Sequence, residues 1–152
     1  EDRLTAAGIE LPAKAAGPAA NYCPFVRTGN LVFVSGQLPM KGGEIQFKGH
    51  CGKEYSEEQG YEAAKLCAIN LIAQVREACE GDLSKVKRVV KLTGFVASTP
   101  EFAAHPKVIN GASDLMAVAF ADAGRHSRSA VGSPSLPFNV PVEVEGIFEV
   151  HD

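Results

Sequence analysis

An α+β fold, with two helices on one face of a mixed or antiparallel sheet, follows from three features of the sequence. Two amphipathic helical stretches are separated by a β-rich segment, and apolar strand pairs stand near both ends. No internal repeat, low-complexity tract or linker interrupts the 152 residues, a length that suits a single core. One domain over residues 1–152 is therefore expected, with residues 1–20 as an N-terminal arm.

The elements follow in order. A short helical stretch around Asp2 to Ala7 leads into Leu11-Pro12-Ala13-Lys14-Ala15-Ala16-Gly17-Pro18, whose composition predicts an extended segment. From Phe25 to Gln37 two apolar runs flank Thr28-Gly29-Asn30, a turn signal between the strands of a hairpin. Its second strand is apolar on both faces and belongs in the sheet interior. After a turn at Lys41-Gly42-Gly43, a short strand is expected around Glu44 to Phe47.

Ser56-Glu57-Glu58-Gln59 has the spacing of a capping box and starts a helix. Ala64, Cys67, Ala68, Leu71, Val75 and Ala78 supply its apolar stripe, and Gly81 its left-handed stop. Val86 to Ala97 is β-branched and reads as a strand. Pro106 suits the first turn of a second helix, with Val108, Ala112, Leu115, Val118 and Ala119 facing inward and Gly124 ending it. Ser127 to Val131 and Val142 to Val150 close the order β-β-β-α-β-α-β-β. Five or six strands, several apolar on both sides, would leave one face bare in a monomer, so self-association through that face is expected.

Composition removes several classes of function. With 45% hydrophobic and 22% charged residues the chain is an ordinary globular one. A formal net charge of −3 provides no general field for a polyanion, so a nucleic acid is not an expected partner. Apolar runs are broken well short of the roughly 20 residues that span a bilayer. Because Glu1-Asp2-Arg3 is also unlike a signal peptide, a soluble cytoplasmic protein with no membrane partner is expected. Cys23, Cys51, Cys67 and Cys79 form no C-x-x-C pair and have no histidine at zinc spacing, so no metal site is expected. Cys67 and Cys79, on one helix, would stand about 18 Å apart, too far for a disulfide.

Two features point to chemistry. Arg128 opens a strand, and Glu143, Glu145 and Glu149 alternate along the last one, which places three carboxylates on one face. On pattern alone a solvated strand face with a surface arginine accounts for both.

Further segments change that balance. Val32-Phe33-Val34-Ser35-Gly36-Gln37, Pro106-Lys107-Val108-Ile109-Asn110, Arg128-Ser129-Ala130-Val131, and Leu136-Pro137 through Pro141-Val142-Glu143-Val144-Glu145-Gly146 occur in this order. In order and spacing they resemble the signature regions of the YjgF/RidA (reactive intermediate deaminase) family, also called endoribonuclease L-PSP-like, and in particular a longer subgroup of it.

The resemblance implies a chorismate-mutase-like fold and a homotrimer with clefts between subunits that hold a small-molecule carboxylate. Arg128 would grip that carboxylate with its planar fork, and Glu143 would position or activate water. Tyr22, Ser35 and Asn110 would contact the ligand, and Gly36 and Ala130 would present main chain to it. Many deaminases of the family carry Cys at the position of Ala130, where the backbone amide is the acting group.

The implied reaction is hydrolysis of a 2-imino or 2-enamino acid to the 2-keto acid and ammonia, with no cofactor. A non-catalytic carboxylate-binding or regulatory protein would need Arg128 but not Glu143. An endoribonuclease would need a basic surface, and the one basic cluster, Lys85, Lys87, Arg88 and Lys91, lacks interleaved aromatics. His105 and His126 have no acidic or cysteine partner nearby in sequence and are expected to be structural, His126 helping with Arg125 and Arg128 to shape an anion-attracting environment and not acting as a base.

Overall fold

A computed structural model describes residues 1–152. Strands β1 (Phe25–Thr28), β2 (Leu31–Gln37), β5 (Val86–Ala97), β6 (Ser127–Ser133) and β7 (Val142–Val150) form one sheet in the order β1-β2-β7-β5-β6. Only β5 and β6 run parallel, joined by helix α3 (His105–Phe120), so the sheet is mixed. Strands β3 (Met40–Lys41) and β4 (Glu44–Ile45) pair only with each other, so of the five or six strands expected the main sheet holds five.

Helix α2 (Glu57–Ala78) begins with the expected capping box: Gln59 N–H donates to Ser56 Oγ at 3.2 Å, and Ser56 N–H to Gln59 Oε1 at 2.9 Å. Its end differs from the reading above. Glu80 (φ 55°) enters the left-handed region first and Gly81 (φ 91°) follows, its N–H returning to the Arg76 carbonyl at 2.8 Å.

Helices α2 and α3 lie on the same face of the sheet, and the core forms between them and Val32, Val34, Val89, Leu92, Val96, Val142, Val144 and Phe148. Ile109 and Met116 fill the inner face of α3, whereas Val118 is turned outward, against expectation. The opposite sheet face has no cover. Val26 (53% exposed), Phe33 (42%) and Val131 (44%) lie on it.

The arm is fastened to α2. It carries helix α1 (Asp2–Ala6), and Gln74 Nε2 donates to the Ala16 carbonyl at 2.6 Å, while Arg76 Nη2 donates to the Pro12 carbonyl. Gln74 is fully buried, and this bond to the arm meets its need for a partner. No helix is long and apolar enough to cross a membrane.

Candidate carboxylate-binding site

Strand register decides which residues can share a ligand. Arg128 lies opposite Leu92, whose side chain is buried beneath the helices, so Arg128 also points to the helical side. Glu143 lies opposite Phe95, three positions further along β5 and therefore on the other face. One chain thus holds the expected residues as two half-sites and does not turn Arg128 and Glu143 toward a common space.

The first half-site lies where α3 passes over β6. Asn110 Oδ1 accepts from Arg128 Nη1 at 2.7 Å, Ser113 Oγ from the same nitrogen at 3.1 Å, and the Pro106 carbonyl from Nη2 at 3.4 Å. These acceptors fall at spacings of four and three on α3, one stripe of a helix facing the strand. Arg128 Nε and one hydrogen of Nη2 have no protein partner, and an edge formed by Nε and Nη2 is one that meets a carboxylate in two parallel bonds. Ala130 lies two residues on, opposite Gly94, with its methyl against the core. Strand β6 is the free edge of the sheet, so its outward main-chain groups are unpaired.

The second half-site sets Gly36 against Glu143, with Ser35 beside Gly36 and Tyr22 in the segment that Ser35 fastens to β2. Ser35 Oγ donates to the Cys23 carbonyl at 2.7 Å and fastens the segment before β1 to β2, so that hydroxyl has a structural use. Tyr22 is half-exposed, its hydroxyl accepting from Ala19 N–H at 3.4 Å. Gly36 lies beneath Glu143, whose carboxylate fills the place of the missing side chain. Burial pushes the Glu143 carboxyl above its ordinary value, and the nearby Glu145 pushes it in the same direction.

A family model described as "YjgF/chorismate mutase-like, putative endoribonuclease" matches residues 1–149. The chain belongs to this family. Among curated relatives, Protein TCP17 of Trypanosoma cruzi is 44% identical over 95% of this chain and 90% of its own length. Protein Atu1372 of Agrobacterium tumefaciens, crystallised with its function unknown, superposes with a TM-score of 0.93 at 50% identity, covering 99% of this chain and 92% of that one. TdcF of E. coli with bound serine superposes with a TM-score of 0.64 at 26% identity, covering 91% of this chain and 94% of that one. The α+β sheet with its two helices is the YjgF/chorismate-mutase-like fold.

Beyond the family residues, the structure adds Ser113 and His126. Ser113 Oγ is 2.9 Å from His126 Nε2, and His126 Nδ1 is 2.6 Å from the Gly124 carbonyl oxygen. The 106, 110, 113 stripe was a legible signal for Ser113, whereas His126 comes into reach only through folding. The second histidine, His105, places Nε2 3.1 Å from Ser98 Oγ.

All four cysteines are free; Cys51, Cys67 and Cys79 are buried, and burial raises each thiol, Cys51 to about 11, while Cys23 is exposed.

Proposed function

We propose that this YjgF/RidA chain hydrolyses reactive 2-imino or 2-enamino acids to 2-keto acids and ammonia. The observation that carries the reading is the guanidinium of Arg128, held at Nη1 by Asn110 and Ser113 and at Nη2 by the Pro106 carbonyl, with Nε and one Nη2 hydrogen left unpartnered. Those two donors take the substrate carboxylate. The raised Glu143 carboxyl suits proton transfer to the imine nitrogen and, once ionised, proton removal from the attacking water. Serine bound to TdcF supports an amino-acid-like ligand for this fold.

Because the half-sites face opposite sides of the sheet, a working cleft needs two copies, the Arg128 half of one meeting the Glu143 half of the next. A homotrimer with three such clefts also covers Val26, Phe33 and Val131. The free thiols suit a reducing compartment such as the cytoplasm.

The test is keto-acid release from freshly generated imines of several amino acids, with Arg128→Ala as control. Two charge-assisted bonds lost should cost on the order of 10²-fold in catalytic efficiency. A variant with full activity overturns the reading.

One observation favours a second function, a carboxylate-binding protein without turnover: the Arg128 half-site is complete within one chain. Glu143→Gln separates the two, since only a deaminase loses turnover while keeping affinity. The endoribonuclease reading gains less. Within its basic cluster Lys87 pairs with Glu149 at 3.8 Å and Arg88 donates to the Arg125 carbonyl at 2.8 Å.

A further inference from the structure

Hydrogen-bond direction is fixed at both ends of the chain that runs from Arg128 to Gly124. A carbonyl oxygen only accepts, so His126 Nδ1, 2.6 Å from the Gly124 oxygen, carries a proton. In the neutral ring Nε2 is then an acceptor, and Ser113, 2.9 Å away, donates its hydroxyl proton there. At the other end a guanidinium only donates, so Ser113 Oγ accepts from Arg128 Nη1 at 3.1 Å. Gly124 is itself a firm anchor, because a β-carbon there would run into the Met116 carbonyl of α3.

Free serine hydroxyls rotate among several partners, and a free arginine samples many rotamers. Here each group removes a choice from the next. His126 aims the Ser113 proton away from Arg128, which leaves the serine lone pairs toward Nη1. With both Nη1 hydrogens engaged by Asn110 and Ser113 and one Nη2 hydrogen by the Pro106 carbonyl, the guanidinium keeps only its Nε hydrogen and one Nη2 hydrogen for a ligand.

We propose that Ser113 and His126 are positioning residues that lock Arg128 for one mode of ligand capture, the bidentate, edge-on binding of a carboxylate. Resting on the reading of Arg128 as the carboxylate grip, this narrows the ligand class to molecules whose carboxylate is free and unhindered on both oxygens, as in 2-keto and 2-imino acids. Neither residue touches the reacting atoms.

The experiment combines two measurements on the full chain. Nitrogen-15 spectra of histidine-labelled protein, taken where His126 is neutral, should show the Nδ1–H tautomer; an Nε2–H tautomer reverses the chain and overturns the proposal. Calorimetric titration with 2-ketobutyrate gives the second readout. Ser113→Ala should weaken affinity about fivefold to tenfold, while Ser113→Thr, which keeps the hydroxyl, stays within about twofold of the parent. His126→Phe should weaken it about threefold and add nothing in the Ser113→Ala background, because it acts through Ser113.

Unchanged affinity in Ser113→Ala, or losses that multiply in the double variant, overturns the positioning role. Arg128→Ala distinguishes that failure from a deeper one. If Arg128→Ala alone loses 2-ketobutyrate, the grip stands without its positioning residues; if it binds like the parent, the grip falls and its positioning residues with it.

Discussion

The carboxylate of Glu143 occupies the space that a β-carbon on Gly36 would require. The overlap is with the end of a flexible side chain, so Gly36→Ala should fold but expel the carboxylate from its half-buried seat. We expect a melting temperature within a few degrees of the parent and at least a tenfold loss of imine hydrolysis. Thermal melts and the keto-acid assay check the two halves separately.

Glu143 also makes stability depend on pH in a definite direction. Its carboxyl is raised by burial and by Glu145, so the folded chain holds this proton more tightly than the unfolded chain does. Above the ordinary carboxylate value of 4.5 the unfolded state releases the proton first, and stability from this group falls as pH rises toward the folded value. Glu143→Gln should therefore match the parent near pH 4 and exceed it at pH 8. Denaturant midpoints across that range test the sign.

Gly111 lies between two holders of Arg128, and a β-carbon there would strike the backbone carbonyl of Tyr61 on α2. Main chain cannot swing aside as a side chain does. Gly111→Ala should cost about 2 to 3 kcal/mol in urea unfolding by forcing α2 and α3 apart. Because Asn110 and Ser113 would move with α3, 2-ketobutyrate binding should weaken as well.

A charge on the bare sheet face tests the proposed assembly. Phe33→Glu places a carboxylate between Val26 and Ile147 on that face. Sedimentation should show the trimer replaced by smaller species, with deaminase activity lost in parallel. An unchanged mass would exclude this face as the contact between copies.

Legibility in the sequence followed the range of the interaction. The β5 boundaries and the capping box of α2 were readable because alternation and caps are set by neighbours a few residues apart. The Gly42-Gly43 turn between Met40–Lys41 and Glu44–Ile45 was readable, but the separation of this hairpin from the main sheet was hidden, since no local pattern says which strands it leaves unpaired. The arm read as a lead-in because its carbonyls, which Gln74 and Arg76 seek out, have no sequence signature. At the site, Arg128 and Glu143 stood out by type and spacing. Their opposite faces depend on both strands being read against β5, a register that only the folded sheet supplies.

The parallel pairing of β6 with β5 has a kinetic consequence. The early hairpin of β1 and β2 closes across two residues, but Arg128 meets Leu92 only after the whole of α3 has folded back over the sheet. Closing a loop of that length costs more chain entropy than closing the hairpin, so we expect the seating of Arg128 on the sheet to follow the β1-β2 hairpin. Ligand capture during refolding should accordingly lag the recovery of helix signal, making 2-ketobutyrate a reporter of sheet closure and not of collapse.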